Sequence, residues 1–114
     1  MKYNLFYQKV LQLNIFPNSV FLKEESFYQK KMNKYGVSLD DRATFTKADW
    51  MMWVAAMGNE TQFKLLVDAL FTFANVTPDR TPFTDWYDTI SARRVGFTAR
   101  PVMGGLYAKL LVSI

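Results

Sequence analysis

The sequence predicts an all-α domain of layered helical hairpins, and three observations support this prediction. Apolar residues recur at intervals of three and four over most of the 114 residues, which is the spacing of amphipathic helices. Proline and glycine residues break the chain between these segments. One segment, TKADWMMWVAAM, is apolar on every side, as expected for an inner helix covered by outer ones. We therefore expect one helical domain, residues 1–114.

Two amphipathic helices are predicted in the first third of the chain. The first runs from Tyr3 to Leu13 and ends near Asn14. The second begins at Pro17, whose fixed φ suits the first position of a helix, and ends at Gly36, which can adopt a left-handed conformation. Each helix is expected to bury one face.

A loop is predicted over Val37–Phe45, because this stretch has no helical period. Its three charged residues Asp40, Asp41 and Arg42 are close in sequence. We expect them to form a local network on the surface.

The apolar helix is predicted over Lys47–Met57, with Thr44 or Thr46 capping its first turn through a side-chain hydroxyl. A helix that is apolar all round must be surrounded. Five helices can scarcely surround it completely, so the chain is expected to be the end of a larger body.

A turn at Gly58 and Asn59 leads into a returning helix over Glu60–Asn75. Leu65 and Phe71 lie outside its main apolar stripe, so a second side is expected to be partly covered. The prolines that follow this helix predict an extended connection.

Pro101 is expected to open the last helix. Its inward-facing residues would be Val102, Leu106, Tyr107, Leu110 and Leu111. Gly104 and Gly105 within this helix each cost about 1 kcal/mol relative to alanine, which close approach of another helix or of a substrate would offset.

Composition argues against some classes of function and excludes others. The net charge of +4 is mild and the basic residues are scattered, so no nucleic-acid partner is expected. The chain has no cysteine and no histidine, which excludes disulfides, thiolate zinc sites and imidazole catalysis. The apolar runs are too short to span a membrane, and the first residues do not have the pattern of a targeting signal. No cofactor or metal is expected.

Several motifs, in order from Tyr3 to Leu111, carry a resemblance to a known family. They are YNLFYQKVLQLNIFP, SFYQKKMNKYGVSLDDR, TKADWMMWVAAM, TPFTDWYDT and VGFTARPVMGGLYAKLL. Together they resemble the C-terminal end of the glutaminase A family. The resemblance implies an α/α toroid of helical hairpins, similar to six-hairpin glycosidases, with this chain supplying the closing hairpins.

The resemblance also implies a function for the parent protein. It would be a secreted, periplasmic or cell-envelope enzyme that hydrolyses L-glutamine to L-glutamate and ammonia. The isolated chain would be inactive without the N-terminal domains or a partner chain to complete the cleft.

Amide hydrolysis needs a group that activates water and groups that hold the carboxylate and ammonium of the amino acid. Asp85 and Asp88 are the candidate catalytic carboxylates, as a base and an ammonium partner. Arg100, just before a helix start, is a candidate for binding the substrate carboxylate. The alternative for each acid is capping, or pairing with Arg93, Arg94 or Arg100.

Four further residues are candidates for substrate binding. Trp86 and Tyr87 could wall a pocket, although aromatic residues in helical proteins are more often part of the core. Asp49 and Trp50 open the apolar helix, where the alternative for the carboxylate is to interact with unpaired N–H groups of the first turn.

Two other functions remain open from the sequence. The chain could be a non-catalytic helical domain that packs on a partner, because the Lys47–Met57 helix is apolar all round. It could also belong to a glycosidase-like cleft with two carboxylates. Asp85 and Asp88 are only three residues apart, which makes the spacing of an inverting pair improbable.

Overall fold

The computed structural model describes residues 1–113 and has an all-α fold. Its helices are a 3-10 turn at Tyr3–Leu5, α1 (Phe6–Val10), α2 (Asn18–Lys30), α3 (Ala48–Met57), α4 (Glu60–Val76), a 3-10 helix at Pro101–Tyr107, and α5 (Ala108–Ser113). Two small antiparallel sheets were not predicted: β1 (Met32–Asn33) pairs with β2 (Gly36–Val37), and β3 (Phe45–Lys47) with β4 (Trp86–Asp88). None of the helices within residues 1–113 has the length and hydrophobicity that a bilayer crossing requires.

Helix α3 lies at the centre of the molecule, as its apolar circumference predicts. It packs against α1, α4, α5 and the 3-10 helix Pro101–Tyr107. Seven of its residues are buried: Ala48, Asp49, Met51, Met52, Val54, Ala55 and Ala56. The chain encloses most of this helix but leaves Trp50, Trp53 and Met57 partly exposed, which agrees with the expectation that five helices can scarcely surround it completely.

The first two helices are shorter than predicted. Helix α1 ends at Val10 rather than near Asn14, because Gln12 takes a left-handed φ of 54° that cannot continue a helix. Helix α2 ends at Lys30. Gly36 does not terminate it and instead begins β2 with a φ of 138°, where a Cβ would lie 2.6 Å from the sulfur of Met51.

The segment before α3 is a strand, and this changes how the helix begins. Neither Thr44 nor Thr46 caps α3, because Lys47 occupies the N-cap position and makes no side-chain cap bond. Thr46 lies in β3 opposite Tyr87 of β4. The N–H of Ala48 donates to the backbone oxygen of Asp85 at 2.8 Å, so the residue just before β4 satisfies one unpaired donor of the helix start.

Helix α4 confirms the predicted returning helix. Asn59 caps it by accepting from the N–H of Gln62 at 2.8 Å, and Leu66 and Phe73 are fully buried. Leu65 and Phe71 are exposed, so the expectation that a second side is covered is wrong for this chain.

The last predicted helix starts at Pro101 but is a 3-10 helix up to Tyr107 and an α-helix only afterwards. Val102 and Leu106 are partly buried, as predicted. Tyr107, Leu110 and Leu111 are instead exposed by 69%, 60% and 56%. These residues line an apolar groove of about 470 Å³, here called the α1–α5 groove, together with Phe6, Tyr7, Val10, Trp53, Gly104, Gly105 and Ala108.

Candidate functional site

The β3–β4 sheet brings most of the candidate residues to the start of α3. Lys47 of β3 lies opposite Trp86 of β4. Side chains alternate between the two faces of a strand, so Tyr87 in the middle of β4 is buried while Trp86 and Asp88 are partly exposed; Asp85, just before the strand, is buried as well. The structure therefore does not bring Asp85 and Asp88 together as a pair.

Asp85 and Arg100 form a bidentate ion pair. Arg100 donates from Nε to Oδ1 at 3.1 Å and from Nη2 to Oδ2 at 2.5 Å. The side chain of Asp85 is fully buried and that of Arg100 is 30% exposed. This is the pairing that the sequence offered as the alternative to a catalytic role for Asp85.

Asp49 lies beside this pair in the first turn of α3 and is only 5% exposed. Burial raises the pKa of Asp49, the N–H groups of Asp49 and Trp50 oppose the rise, and the charge of Asp85 adds to it. The pKa of Arg100 is raised, chiefly by its bonds to Asp85, with a contribution from the charge of Asp49. Asp49, Asp85 and Arg100 thus form one electrostatic unit.

Asp88 holds a turn together. Its Oδ1 accepts from the N–H groups of Ile90 and Ser91, both at 2.8 Å, and its Oδ2 accepts from the hydroxyl of Thr44 at 2.6 Å. Burial acts to raise the pKa of Asp88, but these hydrogen bonds outweigh it and hold the pKa below its usual value. Asp88 therefore has the capping geometry that the sequence left open.

Tyr87 belongs to the core rather than to a pocket wall. Its ring stacks on Phe73 at 3.6 Å and 8°, and its hydroxyl donates to the backbone oxygen of Tyr35 at 2.8 Å. Burial raises the pKa of this phenol. Asp40 and Arg42 form the expected local ion pair, with 2.6 Å between Nη2 and Oδ2.

Three aromatic side chains form what we call the aromatic platform: Trp50, Trp86 and Phe97. The ammonium of Lys47 lies 5.1 Å, 4.9 Å and 5.8 Å from their ring centroids, respectively. The guanidinium carbon of Arg100 lies 4.6 Å from the Phe97 centroid. Two cations therefore contact the same partly exposed platform.

Sequence reasoning missed Lys47 and Phe97. Both lie inside motifs that it quoted, Lys47 in TKADWMMWVAAM and Phe97 in VGFTARPVMGGLYAKLL, but neither was named as a site candidate. What connects them is the pairing of β3 with β4, and no local pattern predicts that pairing. Among residues 1–113, no three His, Cys, Asp or Glu side chains are grouped to hold a metal ion.

Comparison with known proteins gives the family. The model of the glutaminase A six helical-hairpin domain matches residues 1–110. The chain belongs to the glutaminase A family. This confirms the resemblance found in its motifs.

Two curated relatives of the glutaminase A family are similar to this chain. Glutaminase A of Aspergillus oryzae is 42% identical over 113 residues, which cover 96% of this chain and 16% of the relative. A probable glutaminase of Arthroderma benhamiae is 32% identical over 100 residues, covering 85% of this chain and 12% of the relative. The chain thus spans less than a fifth of the length of either relative. No solved structure matches it significantly.

Proposed function

We propose that the protein to which these residues belong hydrolyses L-glutamine to L-glutamate and ammonia, and that these residues form one wall of its cleft. The observation that carries the proposal is the 42% identity to a protein named Glutaminase A over nearly the whole chain. Because the chain spans only 16% of that relative, the activity is proposed for the whole protein.

We also propose that the domain over residues 1–114 is part of an α/α toroid. The six helical-hairpin family match supports a repeating arrangement of hairpins. The α1–α5 groove supports it further, because Leu110 and Leu111 present apolar side chains that a neighbouring hairpin would cover.

The wall proposed for the cleft lies at the start of α3. Asp49 is the proposed acid or base, because its raised pKa lies closer to neutral than that of an ordinary carboxyl. Arg100 is the proposed partner of the substrate carboxylate, and Trp50 its neighbouring wall. Asp85 would position Arg100, since both of its oxygens accept from that residue. Asp88 would stabilise its own turn.

A non-catalytic packing domain is the second candidate, and the α1–α5 groove is the observation that favours it. The glycosidase alternative is not proposed. It needs two carboxylates facing one glycosidic bond, whereas Asp85 is buried in its pair with Arg100 and Asp88 accepts from the N–H groups of its own turn.

The test is ammonia release from L-glutamine by the purified full-length protein, with glutamate measured in the same samples. We expect equal amounts of both products. The D49N variant should lower kcat by about 100-fold or more, the usual effect of losing an acid or base. Asp68 is an exposed carboxylate on α4, so D68N serves as the matched control with unchanged kcat. No release above background by the full-length protein would reject the activity and favour the packing domain.

A further inference from the structure

Lys47 is a partly buried cation that forms no ion pair with any carboxylate of residues 1–113. Its ammonium faces the rings of the aromatic platform. The five ion pairs among the described residues all involve other groups. Contact with rings attracts an ammonium but supplies no acceptor oxygen. Its three N–H donors are therefore available to an anionic ligand.

Arg100 contributes a second cation at the same ring. Only its Nε and Nη2 donate to Asp85, and its Nη1 donates to none of the described residues. Its side chain keeps 30% of its surface exposed. The ion pair with Asp85 fixes the plane of the guanidinium, so the direction of the remaining donors is set before a ligand arrives.

Asp49 provides the negative side of the same region. It is nine-tenths buried, and its Oδ1 has no hydrogen-bond partner among residues 1–113. The charge of Lys47 acts on Asp49, and the charge of Asp49 acts on Arg100, which places all three within electrostatic reach. The formal charges of this region sum to zero, because the two cations are matched by the carboxylates of Asp49 and Asp85. Such a region suits a zwitterionic ligand better than an anion.

We propose that Lys47 and Arg100 form a carboxylate subsite beside the aromatic platform, and that it takes the α-carboxylate of a free amino acid. Lys47 supplies the freely available donors, and Arg100 supplies Nη1 beside the ring of Phe97. That this amino acid is glutamine rests on the proposed glutamine hydrolysis. The cation pair itself is seen in the structure and does not depend on the proposed activity.

The test in the full-length protein is steady-state kinetics of the K47M variant with two amides. L-Glutamine carries the α-carboxylate and 4-aminobutanamide lacks it. Loss of a hydrogen bond between charged groups should raise KM for L-glutamine by about 10- to 100-fold while kcat stays nearly constant. KM for 4-aminobutanamide should not change, and K47R should restore most of the affinity for L-glutamine.

K109M is the matched control, because the ammonium of Lys109 also lies over a ring, 5.2 Å from the centroid of Phe63. It should leave both KM values unchanged. If K47M raises KM for the two amides equally, or changes neither, the subsite is wrong even though glutamine hydrolysis stands.

Calorimetry measures ligand binding without turnover, so it tests the carboxylate subsite independently of the proposed hydrolysis. L-Glutamate and isoglutamine differ in their α-carboxyl group, which is an amide in isoglutamine. The wild-type protein should bind L-glutamate more tightly than isoglutamine, and K47M should bind the two ligands with equal affinity. If the protein releases no ammonia but shows this pattern, the subsite stands and the proposed hydrolysis fails. If L-glutamate does not bind, or binds equally well to K47M, the subsite is overturned.

Discussion

Arg100 holds Asp85 through two parallel hydrogen bonds, and Asp85 is fully buried where β4 meets the start of α3. The backbone oxygen of Asp85 also accepts from the N–H of Ala48. One residue thus ties the strand, the central helix and the segment before Pro101 together. A buried carboxylate is tolerated only with such partners, because its desolvation is costly.

The first prediction concerns the loss of this partner. R100M should destabilise the chain because it leaves the carboxylate of Asp85 buried without its counter-ion. Arg93 pairs with Asp79 in a largely exposed ion pair, 3.1 Å between Nε and Oδ2, so R93M is the control. Thermal unfolding followed by circular dichroism should show a much larger fall in Tm for R100M. Equal falls would mean that the buried pair adds nothing beyond a surface pair.

The two neighbouring glycines predict opposite outcomes. A Cβ at Gly105 would lie 2.6 Å from the Cβ of Asp49 and 3.0 Å from its Cα, whereas a Cβ at Gly104 would meet nothing within 4 Å. We expect G105A to cost about 1–3 kcal/mol of unfolding free energy by overpacking. G104A should be neutral or gain up to about 1 kcal/mol. Urea titration measures both, and equal effects would contradict the close approach of α3.

A third prediction tests Tyr87 as a core residue. Y87F removes the hydroxyl that donates to the backbone oxygen of Tyr35, which should cost about 1–2 kcal/mol of unfolding free energy. The ring stacking on Phe73 is retained in this variant. Tyr107 is 69% exposed, so Y107F should change the free energy by less than about 0.5 kcal/mol. A neutral Y87F would contradict a stabilising role for this buried hydrogen bond.

How far the sequence predicts the fold depends on the range of the interactions. Helices α3 and α4 are set by local periodicity, and both were predicted within a residue of their observed ends. Strands β3 and β4 have three residues each and pair across some forty positions, so they leave no periodic pattern. Helix α2 was overextended because Met32 and Tyr35 keep helical spacing although they lie at the β1–β2 hairpin.

The candidate site was predicted in part for the same reason. The pairing of Asp85 with Arg100 was among the alternatives that residue chemistry offered, and the structure confirms it. The separation of Asp85 from Asp88 follows from β4, a strand that was not predicted, since Asp85 lies just before it and Asp88 at its end. Lys47 was missed because its contacts with Trp86 and Phe97 exist only once that strand has formed.

The last prediction concerns pH. Burial raises the pKa of Asp49 above its ordinary value of 3.8, so the folded state binds its proton more tightly than the unfolded state. Between 3.8 and the raised pKa, the unfolded state holds fewer protons, and Asp49 makes the unfolding free energy fall as the pH rises. Above that window its contribution is constant. D49N removes this titration. The unfolding free energy of the wild type should therefore fall relative to that of D49N as the pH rises through the window.

Asp88 supplies the control of opposite sign. Its pKa is lowered from 3.8, so its stabilising contribution is present above 3.8 and is lost as the pH falls through the lowered value. D88N should therefore lose most stability relative to wild type near neutral pH and least in acid. Denaturation at a series of pH values, with the carboxyl titrations followed by NMR, measures both differences. Should Asp49 titrate below 3.8, burial would not be the dominant influence on it, and its proposed role as an acid or base would lose its physical support.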